Sequence, residues 1–234
     1  MLSGLRTNLS LTARADAVEL LDSGELSAAD IERNLADLAR LNRLPGGTAT
    51  SIAGVKRLAG SMSSPRILDA GTGCGDIPLA FARRGWRTVG IDSNPEVLAL
   101  ALRQTADEPA IEMFAADARA LPFDDGAFDV AHCSLLLHHL DPHDAVRTLE
   151  ELARVSTRGV VINDLRRGLL PLVATWASVV AFGRSPVTRH DGLVSARRAH
   201  TLDELDRLIA LAGLSQTWRS NGWLPRVVTA AVAS

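Results

Sequence analysis

Two adjacent histidines, His138 and His139, stand in the segment Ser134-Leu135-Leu136-Leu137-His138-His139-Leu140 and are the only neighbouring pair in the chain. Imidazole titrates near neutral pH, so either ring can take a proton from a phenol or an enol, or hydrogen-bond it without transfer. A histidine that caps the following helix or binds backbone carbonyls is the competing reading for each. Asp164, in Asn163-Asp164-Leu165-Arg166-Arg167, adds a carboxylate that can face a substrate or bridge to the arginines beside it. His190, in Thr188-Arg189-His190-Asp191-Gly192, is a further catalytic candidate, set against a simple turn stabilised by Asp191. The two cysteines, Cys74 and Cys133, have no adjacent base for covalent catalysis and no paired Cys/His spacing for zinc. They read as small buried hydrophobes, and no metal is expected.

The run Gly71-Thr72-Gly73-Cys74-Gly75 offers binding rather than proton transfer. Glycine lacks a Cβ and tolerates positive φ, so backbone here can approach a ligand closely. Asp92, at the expected end of the second strand, can accept hydrogen bonds from both ribose hydroxyls of a nucleoside. The position that would complete a G-x-G-x-x-G dinucleotide fingerprint is Asp76. An acid at the start of a helix repels a pyrophosphate, which weighs against an NAD(P)-dependent oxidoreductase, the nearest rival on the same fold. A binding or regulatory protein that keeps the fold without turnover is the second alternative.

The elements that must hold these residues alternate. A short apolar run, Ile67-Leu68, follows Ser63-Ser64-Pro65 and feeds the glycine loop as the first strand. A helix over Asp76–Arg84 and a strand over Thr88–Asp92 come next, and a well-fixed helix start follows at Ser93-Asn94-Pro95-Glu96, with capping residue, proline and acid in order. Strands are expected over Ile111–Ala115, Phe128–Cys133 and Gly159–Ile162, with a helix from Asp141-Pro142 to about Val155. Thr201 and Glu204 form a capping box, Gly213 ends that helix, and strands near Ser215–Arg219 and Val227–Val232 complete the sheet. Ahead of the first strand, helices are expected over Leu11–Leu21, from Ser27 to the stop at Pro45-Gly46-Gly47, and from a Thr48 cap to about Leu58. This order predicts an α/β, Rossmann-like, doubly wound and mainly parallel seven-stranded sheet. An N-terminal helical extension over 1–60 precedes a domain over 61–234, with a helical lid insertion over 165–200 after the fifth strand.

The stretch Ile67-Leu68-Asp69-Ala70-Gly71-Thr72-Gly73-Cys74-Gly75 resembles the first motif of class I S-adenosylmethionine-dependent methyltransferases. The likeness continues through Ala116-Asp117-Ala118 and Leu121-Pro122-Phe123-Asp124-Asp125-Gly126-Ala127-Phe128-Asp129, covering roughly residues 66–163. The resemblance implies that Gly71 and Gly73 border the methionine part of S-adenosyl-L-methionine, that Asp69 supports the loop or the amino group, and that Asp92 holds the ribose. It implies an acid or amide of Ala116, Asp117 or Ala118 against the adenine amino group. Thr72, Gly75, Ser93 and Ser134 complete the expected cofactor site. Less diagnostic segments, Asn34 through Gly47 together with those around Asp164 and His190, resemble bacterial methyltransferases of polyketide or phenolic-lipid biosynthesis. They imply a small-molecule acceptor and a place in secondary metabolism. The cofactor brings the reactive group, so the protein's task is to orient the acceptor and share its proton, oxygen being favoured over carbon.

Twenty-five basic and 27 acidic residues leave a net charge of −2 in 234 residues, too weak a field to gather polyanions, so nucleic acid is not an expected partner. No basic segment followed by an apolar core opens the chain, and two cysteines suit a reducing compartment, so the expected location is the cytoplasm. The uncharged run Gly168–Gly183 falls short of the about 20 residues that cross a bilayer, so no stable membrane insertion is expected. Its Leu169, Leu170, Leu172, Val173, Trp176, Val179, Val180 and Phe182 are apolar nearly all round a helix, which predicts burial. Core packing or a homodimer interface would provide it. So would a lid over the carboxyl edge of the sheet, with Trp176 walling an apolar acceptor pocket.

Overall fold

The computed structural model describes residues 13–220 and 225–233 of the chain. Five parallel strands, β1 (Arg66–Ala70), β2 (Arg87–Asp92), β3 (Ile111–Ala115), β4 (Val130–Ser134) and β5 (Val160–Leu165), are joined by β6 (Leu214–Arg219) and the antiparallel β7 (Arg226–Ala233). The sheet order is β3-β2-β1-β4-β5-β7-β6. The chain reverses its winding between β1 and β4, so their carboxyl ends diverge and leave a crevice, the place where open α/β sheets bind ligands.

The central strands form because their residues are apolar on both faces and have helices to cover them. Ile67, Val130, Val161 and Val228 face α2 (Thr48–Ala59) and α3 (Asp76–Ala82) through Ile52, Val55, Ile77 and Phe81. Leu68, Ala131, Cys133, Val160 and Ile162 face α5 (Pro142–Arg154) and α8 (Leu202–Leu211) through Leu149, Leu152, Leu205 and Leu208. Helix starts follow their caps. Asn94 accepts from Glu96 and Val97 at the head of α4 (Pro95–Thr105), Asp141 accepts from Asp144, and Thr201 and Glu204 make the reciprocal capping box of α8.

Four expectations about elements are corrected. Residues Leu11 and Thr12 lie outside the described residues, and from Ala13 to Glu19 the chain is not helical; only a short 3₁₀ turn, Leu20–Asp22, forms. Its amides are satisfied elsewhere, Leu20 and Leu21 donating to the two carboxylate oxygens of Asp191 and Ala15 to the Arg197 carbonyl. Gly47, not Thr48, caps α2. The Thr188–Gly192 cluster is not a turn but the middle of α7 (Pro186–Arg198), which starts where the Ser185 side chain accepts from Val187. The fifth strand runs three residues further than expected, to Leu165, because β7 pairs with Asn163, Asp164 and Leu165.

Helix α1 (Ala28–Leu41) and the pair α6 (Leu169–Phe182) and α7 pack against one another beyond the carboxyl edge of the sheet. The burial expected for α6 is not met. Leu169, Leu170, Val173, Trp176, Val180 and Phe182 are exposed, while Pro171, Thr175 and Val179 are buried. An all-apolar sequence cannot say which of its faces the fold covers.

Candidate active site

One cavity of about 480 Å³ opens at the carboxyl edge of β1, β2 and β4, beneath α1, α6 and α7. Gly71, Gly73 and Gly75 all take positive φ (67°, 57° and 81°), as the tight loop requires. Their roles differ. A Cβ on Gly73 would meet nothing within 4 Å, so its missing side chain leaves open cavity. A Cβ on Gly75 would lie 2.9 Å from Thr105 and 3.1 Å from Met113, and Gly75 does not line the cavity. The cofactor contact expected of Gly75 is therefore corrected to a packing role at the head of α3.

A buried polar chain fixes the loop from beneath. Thr72 Oγ1 donates to Asp69 Oδ2 (2.9 Å), and Asp69 Oδ1 pairs with His132 Nδ1 (2.6 Å). His132 Nε2 meets Ser51 Oγ (2.9 Å), which also receives Asn163 Nδ2 (2.8 Å). Asp69 thus supports the loop. His132, Ser51 and Asn163 are functional supports that the motif reading missed, because they join only when β1, β4, β5 and α2 are assembled.

Asp92 closes the other side. Its Oδ2 accepts from the Gly73 amide (3.1 Å) and Oδ1 from Asn94 (2.9 Å). Burial raises its pKa above the ordinary carboxylate value, against the pull of those two amides. Thr72, Ser93, Ala116, Ala118 and Ser134 line the cavity, and Ser134 Oγ is buried with no partner among the described residues. Asp117 does not line it: this acid is exposed and held by the Arg119 guanidinium, which is corrected against its expected contact with an adenine. Asp76 is half-buried beside the loop and accepts from Asn42 Nδ2 (3.0 Å), with desolvation raising its pKa.

The histidine pair sits on the opposite wall. His138 is buried, its amide and Nδ1 both donating to Asp164, at 3.2 and 2.6 Å. Asp164 lies inside β5 rather than after it, does not line the cavity, and pairs with His138 instead of Arg166 or Arg167. Burial pushes the Asp164 carboxyl up, but the charge and hydrogen bond of His138, with His200, hold it below its usual range. It fixes the orientation of the His138 ring. His139 lines the cavity with Nδ1 2.8 Å from Asp22 Oδ2. Burial pulls its pKa down, and the Asp22 hydrogen bond and the charges of Glu19 and Asp22 outweigh that, leaving it raised. Glu19, buried and unsuspected from sequence, stands before both rings. His190 is exposed, pairs with Asp191 and stays outside the cavity, so its catalytic candidacy is withdrawn. Arg226, also missed, is buried in the cavity wall with Nη1 unpartnered among the described residues, and burial lowers its pKa to about 10.

This fold is the Rossmann-like one of class I S-adenosylmethionine-dependent methyltransferases, and the site resembles theirs. Residues 67–159 match the family described as "Methyltransferase domain". It is 39% identical over 106 residues to a demethylmenaquinone methyltransferase of Thermus thermophilus, covering 44% of this chain and 47% of that protein. It is 32% identical over 126 residues to a ubiquinone/menaquinone biosynthesis C-methyltransferase of a Geobacter species, covering 50% of this chain and 52% of that one. The chain thus spans about half the length of these curated relatives. A crystal structure of a SAM-dependent methyltransferase from Aquifex aeolicus shares the fold, with a TM-score of 0.64 at 17% identity, over 89% of this chain and all of that one.

S-Adenosyl-L-methionine is the cofactor of this class, and the residues present fit it. The open space over Gly73, the acid at the end of β2 and the small Ala116 and Ala118 suit a nucleoside. The buried Asp69 and the half-buried Asp76 and Asp92 suit a cationic sulfonium and ammonium and would repel a phosphate.

Proposed function

We propose that this chain transfers a methyl group from S-adenosyl-L-methionine to a small, apolar, phenol- or polyketide-like acceptor, on oxygen. The observation that carries the reading is His138, locked by Asp164 and turned toward Glu19 on the wall of the cavity that the glycine loop opens into. When bound, the cofactor supplies an electrophilic methyl group on a sulfonium. The chain's own groups do the rest. Gly71, Gly73 and Asp92 hold the nucleoside and methionine parts, and the Glu19, His138 and His139 cluster receives the acceptor's hydroxyl and takes charge of its proton. Leu38, Leu41, Leu136 and Val179 present apolar surface to an acceptor skeleton, and the Arg226 guanidinium, whose Nη1 has no partner among the described residues, suits an anionic oxygen such as a phenolate.

A second reading, methylation at a ring carbon, has one specific support: the curated relative from Geobacter is named a C-methyltransferase. Deprotonating a phenol enriches both its oxygen and the adjacent ring carbons, so the same cluster serves either outcome. Incubation with a panel of phenols, hydroxyquinols and enolic polyketides, read by formation of S-adenosylhomocysteine and by NMR of the product, tests both. A methoxy signal supports the first reading and a ring methyl the second. Cofactor binding with no product from any acceptor would favour a regulatory protein.

A further inference from the structure

Glu19, His138 and His139 bring one carboxylate and two imidazole nitrogens within 4.8 Å of one another. Glu19 Oε1 lies 3.6 Å from His138 Nε2, and Glu19 Oε2 lies 3.8 Å from His139 Nε2. These separations are too long for hydrogen bonds, whose heavy atoms sit at about 2.7–3.2 Å. They approach the roughly 3.0–3.6 Å that separates donors held about 2.0–2.2 Å from a common ion. Three buried or half-buried polar groups therefore converge without bonding one another.

Each converging group is fixed from behind. His138 Nδ1 is held by Asp164 (2.6 Å) and His139 Nδ1 by Asp22 (2.8 Å), while Glu19 Oε1 accepts from Ser195 Oγ (2.8 Å). With Nδ1–H engaged, each neutral ring turns an Nε2 lone pair into the shared space, the carboxylate–histidine arrangement that supports metal ligands. The two ring centroids are 4.3 Å apart, so both rings can address one point. Glu19, Asp22, His138 and His139 all line the cavity shared with the glycine loop.

We propose that Glu19, His138 and His139 form a binding site for one divalent first-row metal ion of the zinc class. Two imidazoles and a carboxylate suit Zn²⁺, Co²⁺ or Fe²⁺ and disfavour Mg²⁺ and Ca²⁺, which prefer oxygen alone. Three protein ligands leave coordination open on the cavity side, as in catalytic rather than structural sites. The site takes an oxygen of the acceptor as its further ligand. This deepens the reading of the cluster as the receiver of the acceptor's hydroxyl, with the ion in place of a ring nitrogen holding the acceptor as its oxyanion and the proton released to solvent, and it rests on that reading, although binding of the ion itself does not.

The test uses the full chain, stripped with a chelator and titrated with Co²⁺, followed by its visible absorption, and with Zn²⁺ by calorimetry, without cofactor or acceptor. One equivalent is expected to bind. Glu19→Gln and His139→Ala should each weaken binding by about 100-fold or more, and Asp22→Asn, which touches only the supporting shell, by about 10-fold. Asp92→Ala should leave metal affinity unchanged. Absence of saturable uptake by the wild-type chain, or uptake indifferent to Glu19→Gln and His139→Ala, overturns the proposal. The two readings fail separately. A chain that binds Co²⁺ stoichiometrically but methylates nothing keeps the metal site and loses the enzyme. One that methylates at full rate after chelation, with no uptake, keeps the enzyme and loses the metal.

Discussion

At the scale of single residues, the binding half and the proton-handling half of the site make different demands. Asp92 carries the binding half: its carboxylate already holds the Gly73 amide and faces the cavity. Asp92→Ala should weaken S-adenosyl-L-methionine by about 1.5–3 kcal/mol, the range for hydrogen bonds to a charged group, with the melting temperature nearly unchanged. Calorimetric affinity equal to wild type would remove Asp92 from the site. The proton-handling half turns on His138, and His138→Ala should lower turnover by about 100-fold or more with cofactor affinity little altered. Asp164→Asn should also lower kcat, by less, while leaving the KM for cofactor intact, because Asp164 acts only through the ring it orients. A rise in cofactor KM with kcat preserved would instead make Asp164 a structural prop. The glycine loop, Asp92 and the His138–His139 pair were readable because each sits in a local pattern. Glu19, His132 and Arg226 were not, since their partners lie on elements far apart in sequence: Glu19 meets Ser195 and His138, and His132 meets Asp69 and Ser51.

At the scale of elements, local chemistry set the strands and most helix starts, and tertiary partners set the rest. β1, β2, β3 and β4 could be read from apolar runs and α4, α5 and α8 from their caps. The residues before Asp22 lost their helix to Asp191, which takes two of their amides, and β5 gained three residues from a β7 partner more than 60 residues further on in the chain. Helix α6 is the sharpest case. It reaches the cavity through Ala174, Thr175, Ser178 and Val179, on the same side of the sheet edge as the glycine loop, but Trp176 points outward and is 52% exposed. The expected Trp176 wall is therefore replaced by the Val179 face. Leu170→Ala, at 74% exposure, should change unfolding free energy by no more than about 0.5 kcal/mol, whereas Leu149→Ala in the buried α5 face should cost about 2–5 kcal/mol. Denaturant melts of the two variants measure this directly. A large loss at Leu170 would show that the outer face of α6 is covered in solution, as by a second copy of the chain.

At the scale of the whole molecule, the two walls of the cavity are tied together by buried ionisable groups, and His200 makes that tie sensitive to acid. Its amide neighbourhood joins β5 to the start of α8, the Arg167 amide donating to the His200 carbonyl at 2.9 Å, while its Nε2 is buried with no partner among the described residues. Burial, aided by the charges of Arg14 and His138, lowers its pKa from 6.5 to about 4, against the opposing pull of Asp164 and Glu204. The unfolded chain takes up a proton at its ordinary value near 6.5, and the native ring stays neutral until about pH 4. Above the unfolded value neither state is protonated there and stability is independent of this group. Between the two values the unfolded state alone binds the proton, so stability falls as pH falls, by up to about 3 kcal/mol across the full window. Asp164 and Glu204, whose native pKa values are lowered, lose their own contributions only on further acidification through the carboxylate range, while Asp76 and Asp92, whose native values are raised, gain stability as pH falls toward that range, equally with and without the His200 ring, so the difference between the two proteins from about pH 6.5 to 5 belongs to His200. His139, with its raised native pKa, acts with the opposite sign above its ordinary value, outside that interval. His200→Gln should therefore flatten the decline in unfolding free energy between pH 6.5 and 5 while leaving stability near pH 7.5 within about 1 kcal/mol of wild type. Urea melts at those three pH values decide it: parallel losses in the two proteins would mean that the His200 ring is as accessible to protons in the native state as in the unfolded chain.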